Sequence, residues 1–182
     1  MQPILTGTYP TLVDLGSGFG YYAERLREHA EYLVGLDAFL PSLQVAKRMK
    51  VFDDLIFADI VHLPLHLDRI DCVTVFDVIE HLSKNDGKQL LASLEQSVFV
   101  STPNSGMSNR QYARLVGNVR ENHVSVWSAS DLRDLGYEAS IRIPPVWMFI
   151  LGNKGIVSAW KLRSEANGRT VEQDAVRVSK AC

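Results

Sequence analysis

Three glycines at alternate positions form a turn whose backbone could bind a ligand. Residues 13–20 read VDLGSGFG, so an apolar run with one acid leads into Gly16, Gly18 and Gly20. Because glycine has no Cβ, bare N–H groups and the positive end of a following helix can approach a ligand here. A tight strand-to-helix turn that binds nothing has the same pattern, so the glycines alone leave both interpretations open.

An acid further along the chain favours the ligand-binding interpretation. Asp37 ends the second apolar run about twenty residues after Gly16, where a carboxylate can accept hydrogen bonds from both hydroxyls of a ribose. An isolated acid at the end of a strand is more often a turn former. Its spacing from the glycines, however, predicts an adenosine-type ligand.

The glycine spacing also separates the adenosine-type ligands from one another. A dinucleotide turn has the form G-x-G-x-x-G so that a pyrophosphate fits over the helix, whereas here the third glycine comes one residue early and Tyr21 takes its place. No Lys-Ser or Lys-Thr follows to hold phosphates and magnesium. Asp14 would repel a pyrophosphate but can orient a cationic amino-acid group. We therefore expect S-adenosylmethionine, and an NAD-dependent oxidoreductase is the disfavoured alternative.

Composition predicts a single cytoplasmic domain. The chain has 182 residues, 46% of them hydrophobic, and a formal net charge of −2, which gives one sizeable core and no broad basic surface for nucleic acid. Cys72 and Cys182 are too few and too far apart for a disulfide framework. The first ten residues do not resemble a signal peptide, and no run reaches the roughly 18 apolar residues of a membrane span.

Apolar runs of strand length alternate with helical patterns, which predicts an α/β fold: a mostly parallel seven-stranded sheet with helices on both faces. The predicted strands cover residues 11–15, 32–37, 54–59, 71–77, 98–104, 138–143 and 155–162. The predicted helices cover residues 21–30, 41–50, 85–97 and 128–137. We expect one domain over residues 1–163 and a flexible or marginally helical tail over residues 164–182.

Five short motifs, in order, resemble those of class I S-adenosylmethionine-dependent methyltransferases, especially the small-molecule enzymes related to quinone biosynthesis. They are VDLGSGFG (13–20), GLDAF (35–39), FADI (57–60), FDVIEHL (76–82) and STPN (101–104). The resemblance implies a Rossmann-like fold, S-adenosylmethionine as methyl donor, S-adenosylhomocysteine as product, and a small-molecule or lipid-like acceptor. A catalytically inactive cofactor-binding or regulatory subunit with the same fold is the alternative.

The resemblance also implies which residues contact the cofactor. It implies that the methionine part is surrounded by Asp14, Gly16, Ser17, Gly18 and Gly20. It implies that Asp37 binds the ribose. Around the adenine it places Ala38, Phe39, Asp59 and the Ile60 backbone N–H. Phe76 and Asp77 would close the site from the fourth strand. Asp59 can instead cap a loop, and Asp77 and Glu80 are interpreted as turn-forming or solvated loop acids.

Methyl transfer from a sulfonium needs alignment and the exclusion of water more than it needs a base. Where the acceptor is a weakly acidic hydroxyl, an imidazole can take its proton. His81 and His123 are therefore candidate catalytic residues, with hydrogen bonding to a loop carbonyl and helix entry as their structural alternatives. His62 and His66 flank Pro64, which interrupts the helix needed to aim both at one ion, so we expect no metal site.

The acceptor pocket and its lid are less well defined by the sequence. Five large side chains could line the pocket, although such residues near a sheet are more often core: Tyr112, Trp127, Trp147, Met148 and Phe149. Only ten residues precede the first predicted strand, where relatives carry covering helices. We expect residues 105–124 and 144–154 to supply a lid, unless a partner subunit or a second copy does so, or the sequence begins inside a longer protein.

Overall fold

The computed structural model describes residue 5 and residues 7–63, 67–104, 114–115, 117–142 and 155–163. Seven strands in this part form one sheet: β1 (Tyr9–Leu15), β2 (Ala30–Asp37), β3 (Asp54–Phe57), β4 (Cys72–Phe76), β5 (Ser97–Pro103), β6 (Glu138–Arg142) and β7 (Ile156–Lys161). The helices are α1 (Ala23–Arg27), α2 (Leu40–Met49), α3 (Lys84–Ser93) and α4 (Ala129–Arg133). Short 3-10 helices include Ile60–His62, Ile79–His81 and Val119–Glu121.

The sheet has the order β3-β2-β1-β4-β5-β7-β6. Its pairs are parallel from β3 to β5, and β7 runs antiparallel to both β5 and β6. The predicted seven-stranded, mostly parallel sheet is confirmed in this form. The strand order runs from β1 to β3 on one side of β1, and the chain then returns to place β4 on the other side. Ligands of open α/β sheets bind outside the carboxyl ends of the strands at such a switch point.

Alternate side chains of the central strands pack into two apolar layers, one on each face of the sheet. In β1, Leu12 belongs to the layer that contains Leu26 of α1, whereas Val13 and Leu15 belong to the layer that contains Leu91 of α3. All five side chains are almost completely buried. Each buried leucine or valine contributes roughly 1.5–3 kcal/mol of transfer free energy, so helices on both faces fix the sheet that carries the site.

Most predicted elements are present, but their ends differ. The first helix is shorter than the predicted 21–30, and Ala30, the last residue of the predicted helix, begins β2 instead. The cause is tertiary: Ala30 pairs with Tyr9 in the parallel register of β1 and β2. The propensity of a short segment for helix is easily overridden by such pairing.

Several expectations lie outside the described residues. They concern the tail over 164–182, most of the two expected lid segments, and the side chains of Pro64, His66, Tyr112, Trp147, Met148 and Phe149. Trp127 is described and is fully buried, in agreement with its interpretation as a core residue. No helix in the described ranges is long and apolar enough to cross a membrane.

Candidate functional site

The glycine turn lies at the switch point, directly after β1. The N–H of Gly16 donates to the Leu36 carbonyl at 2.7 Å, which ties the turn to the end of β2. The three glycines have φ angles of +76°, +53° and +89°, in the left-handed region that favours glycine. A Cβ added to Gly16 would lie 2.4 Å from Cγ2 of Val78. The turn therefore needs glycine at position 16 both for its backbone and for its contact with the segment after β4.

Asp37 braces this turn from the end of β2. Its Oδ2 accepts a hydrogen bond from the Gly18 N–H at 2.8 Å, and its Oδ1 accepts one from the Phe39 N–H at 2.7 Å. A carboxylate has about four acceptor sites on its two oxygens, so the same group can still accept from two ribose hydroxyls. Sequence reasoning located Asp37 correctly beside the turn and missed its bracing role.

An open cleft lies beside the turn, with about 650 Å³ of empty space including its mouth. The predicted site residues in its wall are Gly16, Gly18, Asp37, Ala38, Asp59, Ile60, Asp77 and His81. The segment after β5 supplies Asn118, Arg120 and Glu121, which the sequence analysis did not single out. The other predicted site residues, which lie outside this wall, are Asp14, Ser17, Gly20, Phe39, Phe76 and His123.

Asp14 is buried below the turn, with 2% of its surface exposed. Thr74 Oγ1 donates to its Oδ1 at 2.7 Å. Burial raises the pKa of Asp14 to about 7; the Thr74 hydrogen bond opposes that rise and the charge of Asp37 adds to it. No cationic side chain of the described ranges forms an ion pair with Asp14. A cationic ligand group would therefore stabilise its charged form.

Ser17 is a second buried polar residue in the turn. It is 6% exposed, and its hydroxyl has no hydrogen-bond partner within the described part of the chain. Leaving a buried hydroxyl without a partner costs roughly 1–3 kcal/mol. A polar ligand group beside the turn would remove that cost.

Asp59 lies in the cleft wall and already has two partners. Its Oδ1 accepts from the Val61 N–H at 3.0 Å, and its Oδ2 pairs with Arg120 Nη1 at 3.0 Å. The Val61 hydrogen bond, with help from Arg120, lowers the pKa of Asp59. The loop-capping alternative is thus present in the structure. Because the ion pair with Arg120 is exposed, it is weak and can be exchanged for a ligand group.

Asp77 closes the cleft on the β4 side. It has a left-handed φ of +55°, and its Oδ2 accepts a hydrogen bond from the Tyr22 hydroxyl at 2.5 Å. Its N–H donates to the Ser101 carbonyl at 2.9 Å. Beneath it, Phe76 is buried and packs edge to face against the Tyr22 ring at 5.3 Å. Asp77 is both a turn residue and part of the cleft wall.

Glu80, His81 and His123 lie close together, and His81 is the member of the group that lines the cleft. A ligand atom of each lies within 4.8 Å of the others, and the two imidazole centroids are 4.9 Å apart. His81 Nδ1 lies 3.2 Å from the Asn122 carbonyl oxygen, so the predicted alternative of a hydrogen bond to a loop carbonyl is observed. Burial lowers the pKa of His81, which favours the neutral ring.

The prediction that Glu80 is a solvated loop acid is wrong. Glu80 is 2% exposed, and Thr102 Oγ1 donates to its Oε2 at 2.9 Å. Burial raises its pKa to about 8, with a further rise from the charge of Asp77. The apolar neighbours of Glu80 in the VIEHL segment were the available signal for its burial.

Residues 13–98 match a protein family described as a methyltransferase domain. The matched segment covers 86 of the 182 residues, just under half of the chain. The predicted enzyme class, an S-adenosylmethionine-dependent methyltransferase, and the predicted cofactor are confirmed by this match. Among curated protein sequences, none matches the chain.

Solved methyltransferase structures share the fold. A chain of the complex between the Haloferax volcanii Trm112 methyltransferase activator and a methyltransferase has a TM-score of 0.59 at 18% identity, over 88% of this chain and 85% of that chain. The methyltransferase domain of bacterial CtHen1 has a TM-score of 0.57 at 22% identity, over 85% and 91%. The DhpI-SAM-HEP complex gives 0.57 at 14% identity, over 83% and 77%. At these identities the likeness establishes the fold.

Proposed function

We propose that this methyltransferase transfers a methyl group from S-adenosylmethionine to a small-molecule or lipid-like acceptor, in the manner of the enzymes related to quinone biosynthesis. The observation that carries the proposal is the glycine turn, braced by Asp37 and open to a cleft at the switch point of the sheet. The two isolated cysteines favour a reducing, cytoplasmic setting for this activity.

The residues around the turn fit the methionine and ribose parts of the cofactor. Asp14 is a buried acid without an ion-pair partner among the described residues, and Ser17 has a buried hydroxyl without a hydrogen bond there. They would serve the ammonium and carboxylate ends of an amino acid, with the backbone of Gly16, Gly18 and Gly20 beside them. Asp37 keeps acceptor sites for ribose hydroxyls.

The β3 end of the cleft suits the adenine. We assign Ala38, Phe39 and the Ile60 backbone to its surroundings, and Asp59 to its exocyclic amine. Arg120 now holds one oxygen of Asp59 at 3.0 Å, so an amine would share that oxygen or displace the arginine. Phe76 and Asp77 would close the site from β4.

S-adenosylmethionine supplies an already activated methyl group, so the task of the chain is to align the acceptor and exclude water. We propose that His81 and His123 act on the acceptor, because their rings lie together and His81 lines the cleft. The wall carries Asp37, Asp59, Asp77 and Glu121 against one described cation, Arg120. This acidic lining suits a cationic cofactor and disfavours a polyanionic acceptor such as nucleic acid.

The acceptor side also needs a cover, which we propose comes from residues 105–124 and 144–154 or from a partner subunit. A similar methyltransferase is solved in complex with the Trm112 methyltransferase activator. That precedent supports a search for a partner of this chain. A homo-oligomer, in which a second copy supplies the cover, is the alternative.

Calorimetry with S-adenosylmethionine and S-adenosylhomocysteine tests the proposal. We expect saturable heat with both, and none with NADH. Absence of heat and of any thermal shift with both ligands at millimolar concentration would contradict cofactor binding.

The acceptor class needs a second assay, in which transfer from methyl-labelled cofactor is measured with small phenols, lipids and RNA oligonucleotides. We expect label in the small-molecule or lipid products. Label in RNA alone would overturn the acceptor class, and tight binding without transfer to any acceptor would favour the inactive-subunit alternative.

A further inference from the structure

Two exposed aromatic rings stand on the glycine turn. Phe19 is 46% exposed and Tyr21 is 74% exposed, and their ring centroids lie 6.3 Å apart with an interplanar angle of 80°. We propose that this pair, which we call the aromatic corner, binds a planar ring of the methyl acceptor by stacking. As an acceptor contact the corner rests on the proposed function, whereas its binding of a planar ring does not depend on methyl transfer.

The two rings do not serve the core, because neither Phe19 nor Tyr21 belongs to the apolar layers on the two faces of the sheet. Single exposed hydrophobic side chains are normal on protein surfaces, but these two contact each other on a tightly constrained turn. Gly18 and Gly20, on either side of Phe19, have φ angles of +53° and +89°. A surface held by such a backbone loses little entropy when a ligand binds.

A continuous series of contacts connects the aromatic corner to the cleft wall. Tyr21 packs edge to face against Tyr22 with centroids 4.8 Å apart, and the Tyr22 hydroxyl donates to Asp77 Oδ2 at 2.5 Å. Asp77 lines the cleft, and so does Gly18, the residue before Phe19. The corner therefore borders the part of the cleft to which the methionine part of the cofactor is assigned, and a methyl acceptor must approach that part.

The angle between the two rings suits a planar ligand. Aromatic rings prefer offset stacking or edge-to-face contact, with centroids about 4.5–7 Å apart. Between two rings at 80°, a third ring can stack on the face of one and meet the other edge to face. A saturated ring of the same size gains only the burial of its apolar surface, so the corner should select planar rings.

The size of the aromatic corner suits a small ligand better than a protein partner. An aromatic side chain buries about 150–250 Å², so the two rings together offer at most about 500 Å². A standard protein interface takes roughly 800 Å² from each partner. The acidic cleft wall beside the corner disfavours a nucleic-acid strand, so the structure favours a free aromatic molecule over a nucleobase in RNA as the source of the ring.

Calorimetry with 2-naphthol on protein saturated with S-adenosylhomocysteine tests the aromatic corner. We expect saturable binding, and binding about tenfold weaker for decahydro-2-naphthol, which keeps the carbon skeleton and the hydroxyl but is not planar. Phe19→Leu and Tyr21→Leu should each weaken 2-naphthol binding about fivefold. Tyr21→Phe keeps the ring and should bind like the wild type.

The matched control is Tyr32→Leu. Tyr32 is 44% exposed and donates to Asp54 near the amino end of β2, away from the cleft, so this variant should bind 2-naphthol like the wild type. Far-ultraviolet circular dichroism checks that each variant is folded. The affinity for S-adenosylhomocysteine should be unchanged in both leucine variants, and a parallel loss of that affinity would show that the rings only support the turn, which would overturn the corner.

A short oligouridine, titrated in the same way, separates the two sources of a planar ring. No binding of either probe at millimolar concentration, equal affinity for 2-naphthol and decahydro-2-naphthol, or unchanged binding of both probes in the leucine variants would overturn the corner. Oligouridine binding that only the leucine variants lose, without 2-naphthol binding, would support the corner and count against the proposed acceptor class. Binding of 2-naphthol by a wild type that does not bind S-adenosylhomocysteine would support the corner and count against the proposed function.

Discussion

Asp14 has one identified hydrogen-bond donor, Thr74, and is enclosed by the sheet and the glycine turn. Because burial raises its pKa from 3.8 to about 7, the folded state binds the proton more tightly than the unfolded state does. The contribution of Asp14 to the free energy of unfolding is therefore greatest below about pH 4 and falls as the pH rises to about 7.

Asp14→Asn should remove this pH dependence, because the amide oxygen can still accept from Thr74 and the side chain does not ionise. At roughly 1.4 kcal/mol per pKa unit, the variant should be more stable than the wild type at pH 8 by up to about 4 kcal/mol. Urea denaturation at pH 4 and pH 8 measures the difference. A stability difference that is the same at both values would contradict the assignment.

Asp37 has a different task, because its carboxylate joins the turn to α2 and keeps acceptor sites open to the cleft. Asp37→Ala should weaken S-adenosylhomocysteine binding at least tenfold, which corresponds to about 1.4 kcal/mol and is typical of a lost charge-assisted hydrogen bond. The control is Asp54→Ala, an exposed acid that accepts from the Tyr32 hydroxyl outside the cleft. If calorimetry gives an unchanged affinity for Asp37→Ala, the ribose does not bind at Asp37.

At the scale of elements, the turn after β1 and the segment after β4 touch through one glycine. Gly16 and Gly18 both have positive φ, but only a Cβ on Gly16 would meet Val78, at 2.4 Å. Each alanine variant carries the backbone strain of roughly 1–2 kcal/mol. Gly16→Ala should lose about 1–3 kcal/mol more than Gly18→Ala, because overpacking adds to the strain. Urea denaturation of both variants gives this difference.

The double variant Gly16→Ala with Val78→Ala separates the clash from the strain. Its loss of stability should be smaller than the sum of the two single losses, because Val78→Ala removes the atoms that the new methyl group would meet. Additive losses would show that the turn relaxes by another route.

Local patterns explain what the sequence predicted at this scale. The turn and Asp37 belong to one βαβ unit, so their spacing along the chain predicts that they lie close together. The ion pair of Asp59 and Arg120 joins positions 61 residues apart. Whether it forms depends on the path of the chain after β5. The insertion of β7 between β5 and β6 likewise has no local signature. Long-range contacts of this kind are settled by packing.

At the scale of the molecule, the cleft wall brings together the glycine turn, the end of β3, the turn after β4 and the segment before α4. A cofactor in the cleft would contact regions that are otherwise joined through the sheet, so its binding should stabilise the whole fold. A ligand at about 100 times its dissociation constant adds roughly 2.7 kcal/mol to the free energy of unfolding. For a chain of this size, that is a rise of roughly 5–10 °C in Tm.

This stabilisation should depend on pH through Asp14. The ammonium of S-adenosylhomocysteine favours the ionised carboxylate, but the pKa of about 7 leaves Asp14 mostly protonated at pH 5, so binding there must release a proton. The increase in Tm at 1 mM ligand should therefore be larger at pH 8 than at pH 5 in the wild type. In Asp14→Asn it should be smaller at pH 8 and change less between the two values. Thermal melts with and without ligand test both expectations. An equal increase in Tm at both pH values in the wild type would show that Asp14 does not interact with the cofactor.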